Sequence, residues 1–90
     1  MSRWELKFEA AAEDDLAILD TELRRRIIDK LDWLVENFDD IAPLPLGSQW
    51  RGLFKLRVGD WRIVYEIKTS EKIIKVHYID RRDKIYKRRV

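Results

Sequence analysis

From Leu53 to Ile67 the chain reads Leu-Phe-Lys-Leu-Arg-Val-Gly-Asp-Trp-Arg-Ile-Val-Tyr-Glu-Ile, two runs of alternating apolar and polar residues on either side of Gly59-Asp60. Alternation has the period of a strand and Gly-Asp is a two-residue loop, so this stretch specifies a β-hairpin. The loop sets the register: Val58 opposes Trp61, Arg57 opposes Arg62, Leu56 opposes Ile63 and Lys55 opposes Val64. Successive side chains point to opposite faces. Phe54, Leu56, Val58, Trp61, Ile63, Tyr65 and Ile67 therefore make one apolar side, while Lys55, Arg57 and Arg62 share the other. Like charges directly opposed across a ladder destabilise it by roughly 0.2–1 kcal/mol, so the Arg57/Arg62 pair calls for an anion between the two guanidinium groups. Phosphate is the obvious one.

A further strand, Lys72 to Asp80, extends this pattern. With Ser70 and Glu71 as its loop, Glu66 opposes Lys75, Val64 opposes His77 and Arg62 opposes Ile79. That register sends Ile74, Val76 and Tyr78 to the apolar side, and Lys75, His77 and Arg81 to the basic one. A slip of one residue would break the agreement. Upstream, Trp4 to Phe8 alternates weakly and reads as a strand near a sheet edge, because Glu5 and Lys7 make its outer face polar.

Between these strands lie two helical patterns. Ala10 to Leu19 is alanine-rich, with Glu13, Asp14 and Asp15 placed toward its start, where negative charge suits the helix dipole, and with Leu16 and Leu19 facing inward. Asp20 or Thr21 caps a second helix whose Leu23, Ile27, Leu31, Leu34 and Phe38 recur every three or four residues. Arg24 to Arg26, with Asp29, Asp32 and Glu36, read as its solvated outer face. The two helices form an antiparallel pair lying on the sheet. Asn37 to Trp50, which holds Pro43, Pro45, Gly47 and Ser48, reads as a loop. Too little chain flanks it for two cores, so residues 1–90 are expected to be a single domain of α+β class: a small twisted antiparallel sheet with an N-terminal helical hairpin on one face.

The net charge of +2 conceals an uneven distribution. Residues 1–50 carry six Lys/Arg and twelve Asp/Glu, whereas residues 51–90 carry thirteen and five. A half with a net charge of +8 suggests a polyanion site on one side of the molecule. Cysteine is absent, which excludes disulfides and thiolate metal sites. The opening Met-Ser-Arg-Trp-Glu-Leu-Lys lacks the apolar core of a signal peptide, and no apolar run nears the roughly 20 residues of a membrane span. A cytoplasmic protein without a membrane partner is expected. No His-Glu-x-x-His or similar spacing occurs, so neither metal nor other cofactor is anticipated. Trp4, Trp33, Trp50 and Trp61 read as core or interface residues.

Leu46-Gly47, the run Gly52 to Tyr65, and Ile79-Asp80-Arg81-Arg82-Asp83-Lys84-Ile85-Tyr86 resemble the RelE/ParE superfamily of bacterial toxins from type II toxin–antitoxin pairs, on the RelE-like branch. The resemblance implies a twisted sheet with a helical hairpin on one face, and a cognate antitoxin as protein partner. It also implies one of two targets. RelE-like members cut messenger RNA in the ribosomal A site, whereas ParE-like members poison DNA gyrase. The RelE-like catalytic pattern falls here on Arg62, Arg81, Tyr86 and Lys55, with Arg57 beside them. Two positions depart from it: Asp80 stands where many relatives carry histidine, and Leu53 where some carry lysine.

The residue types suit metal-free RNA cleavage, in which the 2′-hydroxyl attacks the adjacent phosphodiester. Arginine keeps its charge and grips two phosphate oxygens, so Arg62 and Arg81 are expected to stabilise the phosphorane. Lys55 is a candidate for proton transfer. Tyr86 offers either a ring on which a splayed base stacks or a hydroxyl for proton transfer. Arg57, His77, Arg82 and Lys84 are expected to bind RNA; His77, the only histidine, is more simply structural, though its ordinary pKa suits proton transfer. Two alternatives to a ribosome-dependent endonuclease remain: a gyrase poison, and a toxin that occupies the ribosome or RNA without cutting.

Overall fold

The computed structural model describes residues 3–47 and 50–88. Ser48 in the proline-containing loop, and Arg89 and Val90 in the basic tail, lie outside the described residues, as do Met1, Ser2 and Gln49. In chain order the elements are β1 (Glu5–Phe8), α1 (Ala10–Ala17), α2 (Thr21–Glu36), a 3₁₀ turn (Phe38–Asp40), β2 (Leu44–Pro45), β3 (Leu53–Val58), β4 (Trp61–Lys68), β5 (Ile73–Arg81) and α3 (Arg82–Ile85). The strands form one sheet in the order β1-β5-β4-β3-β2. No helix among the described residues is long and apolar enough to cross a membrane.

The central hairpin has the expected register, from Val58 opposite Trp61 to Lys55 opposite Val64. Gly59 adopts φ +58° at the first loop position, a conformation glycine enters without a Cβ clash. The sheet is mixed rather than purely antiparallel, because β1 lies parallel to β5 along Glu5↔Ile73 to Phe8↔Val76. Topology demands it: the chain leaves β1 at one edge, crosses a face as α1 and α2, and re-enters the sheet at β2 on the far edge.

Helix α2 starts where expected, with the Asp20 carboxylate accepting from the Leu23 amide at 2.9 Å. Arg24 departs from the solvated-face reading. Its guanidinium donates to the carbonyls of Leu16, Ala17 and Leu19 at 3.0, 3.2 and 2.6 Å, so it closes the C-terminal end of α1, where a positive charge also meets the helix dipole. Arg25 and Arg26 are exposed.

On the helical side, Ala12, Leu19, Ile27, Leu31, Leu34 and Phe38 pack against Val58, Ile63, Tyr65, Ile74, Val76 and Ile79. The opposite face carries a second, smaller core of Leu46, Trp50, Leu53, Val64 and Ile85, with Tyr78 against it. The side read as basic is thus partly apolar, and the C-terminal segment is docked there through Ile85, which is fully buried. Burying a side chain of that size contributes about 1.5–3 kcal/mol.

The second hairpin follows the expected register only as far as Tyr65↔Val76. A β-bulge then leaves His77 without a cross-strand partner, so Val64 opposes Tyr78, Ile63 opposes Ile79, Arg62 opposes Asp80 and Trp61 opposes Arg81. The expected pairs Val64/His77 and Arg62/Ile79 do not form. The extra residue reverses the parity of all that follows: Tyr78 joins the second core and Ile79 the main one. With two cores to fill, one on each face, the bulge satisfies both.

Candidate nucleic-acid interface

The cations of β3 and β4 meet as their register dictates. Arg57 and Arg62 oppose each other across the ladder, with Lys55 two residues before Arg57 on the same face. Arg62 turns one guanidinium nitrogen back onto the loop, donating to the carbonyls of Gly59 and Trp61, each at 2.9 Å. Among the described residues, no carboxylate lies within 4.0 Å of Lys55, Arg57 or Arg62. Their mutual repulsion is therefore left for an outside anion to relieve.

Tyr86 follows α3 and stands at 46% exposure. The Lys55 ammonium donates to its hydroxyl oxygen at 3.3 Å and lies 5.9 Å from the ring centroid. These two residues, distant in sequence, are thereby brought together beside the arginine pair. Local structure explains how. Ile85 is sunk in the second core, the Arg82 amide bonds to the Asp60 carbonyl at 2.8 Å, and Tyr86 is carried over β3 between those anchors and Arg88.

The cations of β5 are differently placed. Lys75 pairs with Glu9 at 2.9 Å, and each holds the other charged: the hydrogen bond and charge of Lys75 lower the Glu9 pKa, and those of Glu9 raise that of Lys75. His77, on the bulge, contacts Glu66 at 2.9 Å. Arg81, expected on the basic side, pairs instead with Trp61 and so falls on the apolar side of the ladder, with its Nε 3.5 Å from Asp83, while Asp80 opposes Arg62. Arg82 and Lys84 are exposed on α3. No group of three or more His, Asp or Glu able to hold a metal ion occurs among the described residues.

Sequence reasoning missed two residues here. Arg88 donates to Asp15 at 2.8 Å and to Asp80 at 3.4 Å, and its guanidinium lies 4.4 Å from the centre of the Tyr78 ring. Asp15 also accepts from the Ile79 amide at 2.9 Å. No local pattern signals such a pairing, since the partners are 73 positions apart.

A small mixed sheet flanked by a helical hairpin, with a C-terminal tyrosine docked on the other face, is the RelE-like α+β fold. A family model described as the ParE toxin of the type II toxin-antitoxin system, parDE, matches residues 6–86, and the chain belongs to this family, within the RelE/ParE superfamily. Among solved structures, it is similar to a chain of the toxin–antitoxin complex RelBE2 from Mycobacterium tuberculosis, with 22% identity, TM-score 0.79, and coverage of 91% of this chain and 94% of that one. It is similar to the isolated E. coli RelE toxin, with 19% identity, TM-score 0.73 and coverage of 93% and 92%. The archaeal RelE–RelB complex from Pyrococcus horikoshii gives 25% identity, TM-score 0.66 and coverage of 91% and 97%. Comparison with curated proteins gives no match.

Proposed function

We propose that this toxin blocks translation as a ribosome-dependent, metal-independent messenger-RNA endonuclease, held in check by a cognate antitoxin. The observation that carries the reading is the Lys55–Tyr86 contact at 3.3 Å beside the opposed Arg57 and Arg62. In the reaction the 2′-hydroxyl oxygen attacks the adjacent phosphorus, the bond to the 5′-oxygen breaks, and the products are a 2′,3′-cyclic phosphate and a 5′-hydroxyl. The proton lost by the 2′-hydroxyl goes to a base, and the departing oxygen takes one from an acid. Arg62 and Arg57 stabilise the charge on the phosphorane. Lys55 transfers a proton, and the half-exposed Tyr86 ring stacks on a base. Arg81, Arg82 and Lys84, at the junction of β5 and α3, hold the flanking backbone, and His77 lines its path.

Primer extension on a translated reporter messenger RNA, beside an untranslated copy, tests this reading. Cuts are expected only in the translated RNA, and Arg62→Ala should reduce them on the order of 10²–10³-fold with little loss of stability, because its side chain lies outside both cores. Intact RNA during growth arrest would overturn it.

A second reading, a gyrase poison acting by protein contact, is favoured by two observations: the matching family model is that of ParE, and the bulge pairs Arg81 with Trp61, on the other side of the ladder from Arg62. Its signature is DNA damage signalling with protein synthesis initially intact.

A further inference from the structure

The sheet itself fixes Lys55, but Tyr86 follows a four-residue helix and belongs to no strand. Its position is set from both sides. Before it, Ile85 is fully buried in the second core. Beyond it, Arg88 reaches past the end of β1, where the edge of β5 is open, and meets Asp15 of α1 at 2.8 Å. The same Asp15 oxygen accepts from the Ile79 amide on that edge, so the carboxylate is itself anchored. The Arg88 and Asp15 side chains are only 26% and 16% exposed, and attraction between charges is stronger there than in open water.

We propose that Asp15 is a positioning residue for Tyr86: through Arg88 it latches the C-terminal segment so that the phenol stays at Lys55. This rests on reading Lys55 and Tyr86 as part of the RNA site. A helix of the acidic half of the chain thereby governs a side chain in the basic half, with no contact to RNA of its own. If the latch opens, Ile85 and the bond from the Arg82 amide to the Asp60 carbonyl still hold the start of α3, and Tyr86 is free to turn about the backbone beyond them.

Asp15→Asn keeps an oxygen for the Ile79 amide and removes the charge, and Arg88→Gln removes it from the other side. Nuclear Overhauser contacts between the Tyr86 ring and the Lys55 side chain report on position directly. They are expected in the parent protein and lost in both variants, while circular dichroism shows the fold retained. Cleavage of translated messenger RNA should fall on the order of 10–100-fold in turnover, with the half-saturating ribosome concentration less affected. In a Tyr86→Ala background, Asp15→Asn should add no further loss. Contacts that survive in either variant would overturn the proposal, as would an equal loss of cleavage with and without Tyr86. A parent protein that cuts no messenger RNA would defeat the nuclease reading alone, since the Overhauser contacts still decide whether the latch holds Tyr86.

Discussion

Arg62 uses one guanidinium nitrogen to close its own hairpin loop, so the loop that sets the register also fixes the direction of the guanidinium. Tyr86 has two separable properties, a ring and a hydroxyl. With the ring as a stacking platform, Tyr86→Phe should retain most cleavage, whereas Tyr86→Ala should lose about 1–3 kcal/mol of base stacking, that being the range for one base on an aromatic side chain. A phenylalanine variant as inactive as the alanine one would move the function to the hydroxyl. Tyr65, by contrast, stands in the main core at 1% exposure, and burial pushes its pKa up to about 12. Its folded pKa lies above the unfolded one, so the stability it confers is complete below about pH 10 and is lost as pH rises toward the folded value. Absorbance titration of the phenolates should show a late-ionising phase, and Tyr65→Phe should abolish it.

Among the elements, the β3–β4 hairpin was legible residue by residue, because one dipeptide sets its loop and every apolar position keeps one parity. The helical pair was equally legible in its periodicity and in its cap at Asp20. The bulge was hidden, because Ile74, Val76 and Tyr78 continue an alternation that only the demands of two cores override. For the same reason the site was half visible: Lys55, Arg57 and Arg62 follow from register, but the positions of Arg81 and Asp80 depend on the bulge. The apolar contribution of α3 to the second core is a single buried isoleucine, which carries no periodic signal. The junction of β1 with α1 offers a test of pH dependence. The Glu9 carboxylate is held below its ordinary pKa by Lys75, so its stabilising effect is full above the usual carboxylate range and is lost as pH falls through the lowered value. Glu9→Gln should lower the urea midpoint at neutral pH but not in acid below the lowered Glu9 pKa, where the parent carboxylate is itself uncharged. A midpoint lowered equally at both would assign the effect to packing.

For the whole molecule, the separation of charge along the chain becomes a separation of roles. Carboxylates of the first half hold cations of the second at Glu9–Lys75 and Asp15–Arg88, and three of the cations left over, Lys55, Arg57 and Arg62, gather on one face of the sheet. An antitoxin segment lying across that face should bind less tightly as salt is raised from about 0.1 M to 1 M, where the screening length falls from about 10 to 3 Å. A flat salt response would instead place the segment away from these cations.

The parallel pairing of β1 with β5 joins Glu5 to Ile73, 68 positions later, across both helices and three strands. The β3–β4–β5 meander, by contrast, closes through two short turns. Loop closure disfavours the long pairing before its contacts can compensate, so the meander is the natural nucleus and β1 the last strand to join. Substitutions along β1 should then act chiefly on the rate of unfolding, and those around Gly59 on the rate of folding. The cationic hairpin is thus expected to be paired before β1 completes the far edge of the sheet.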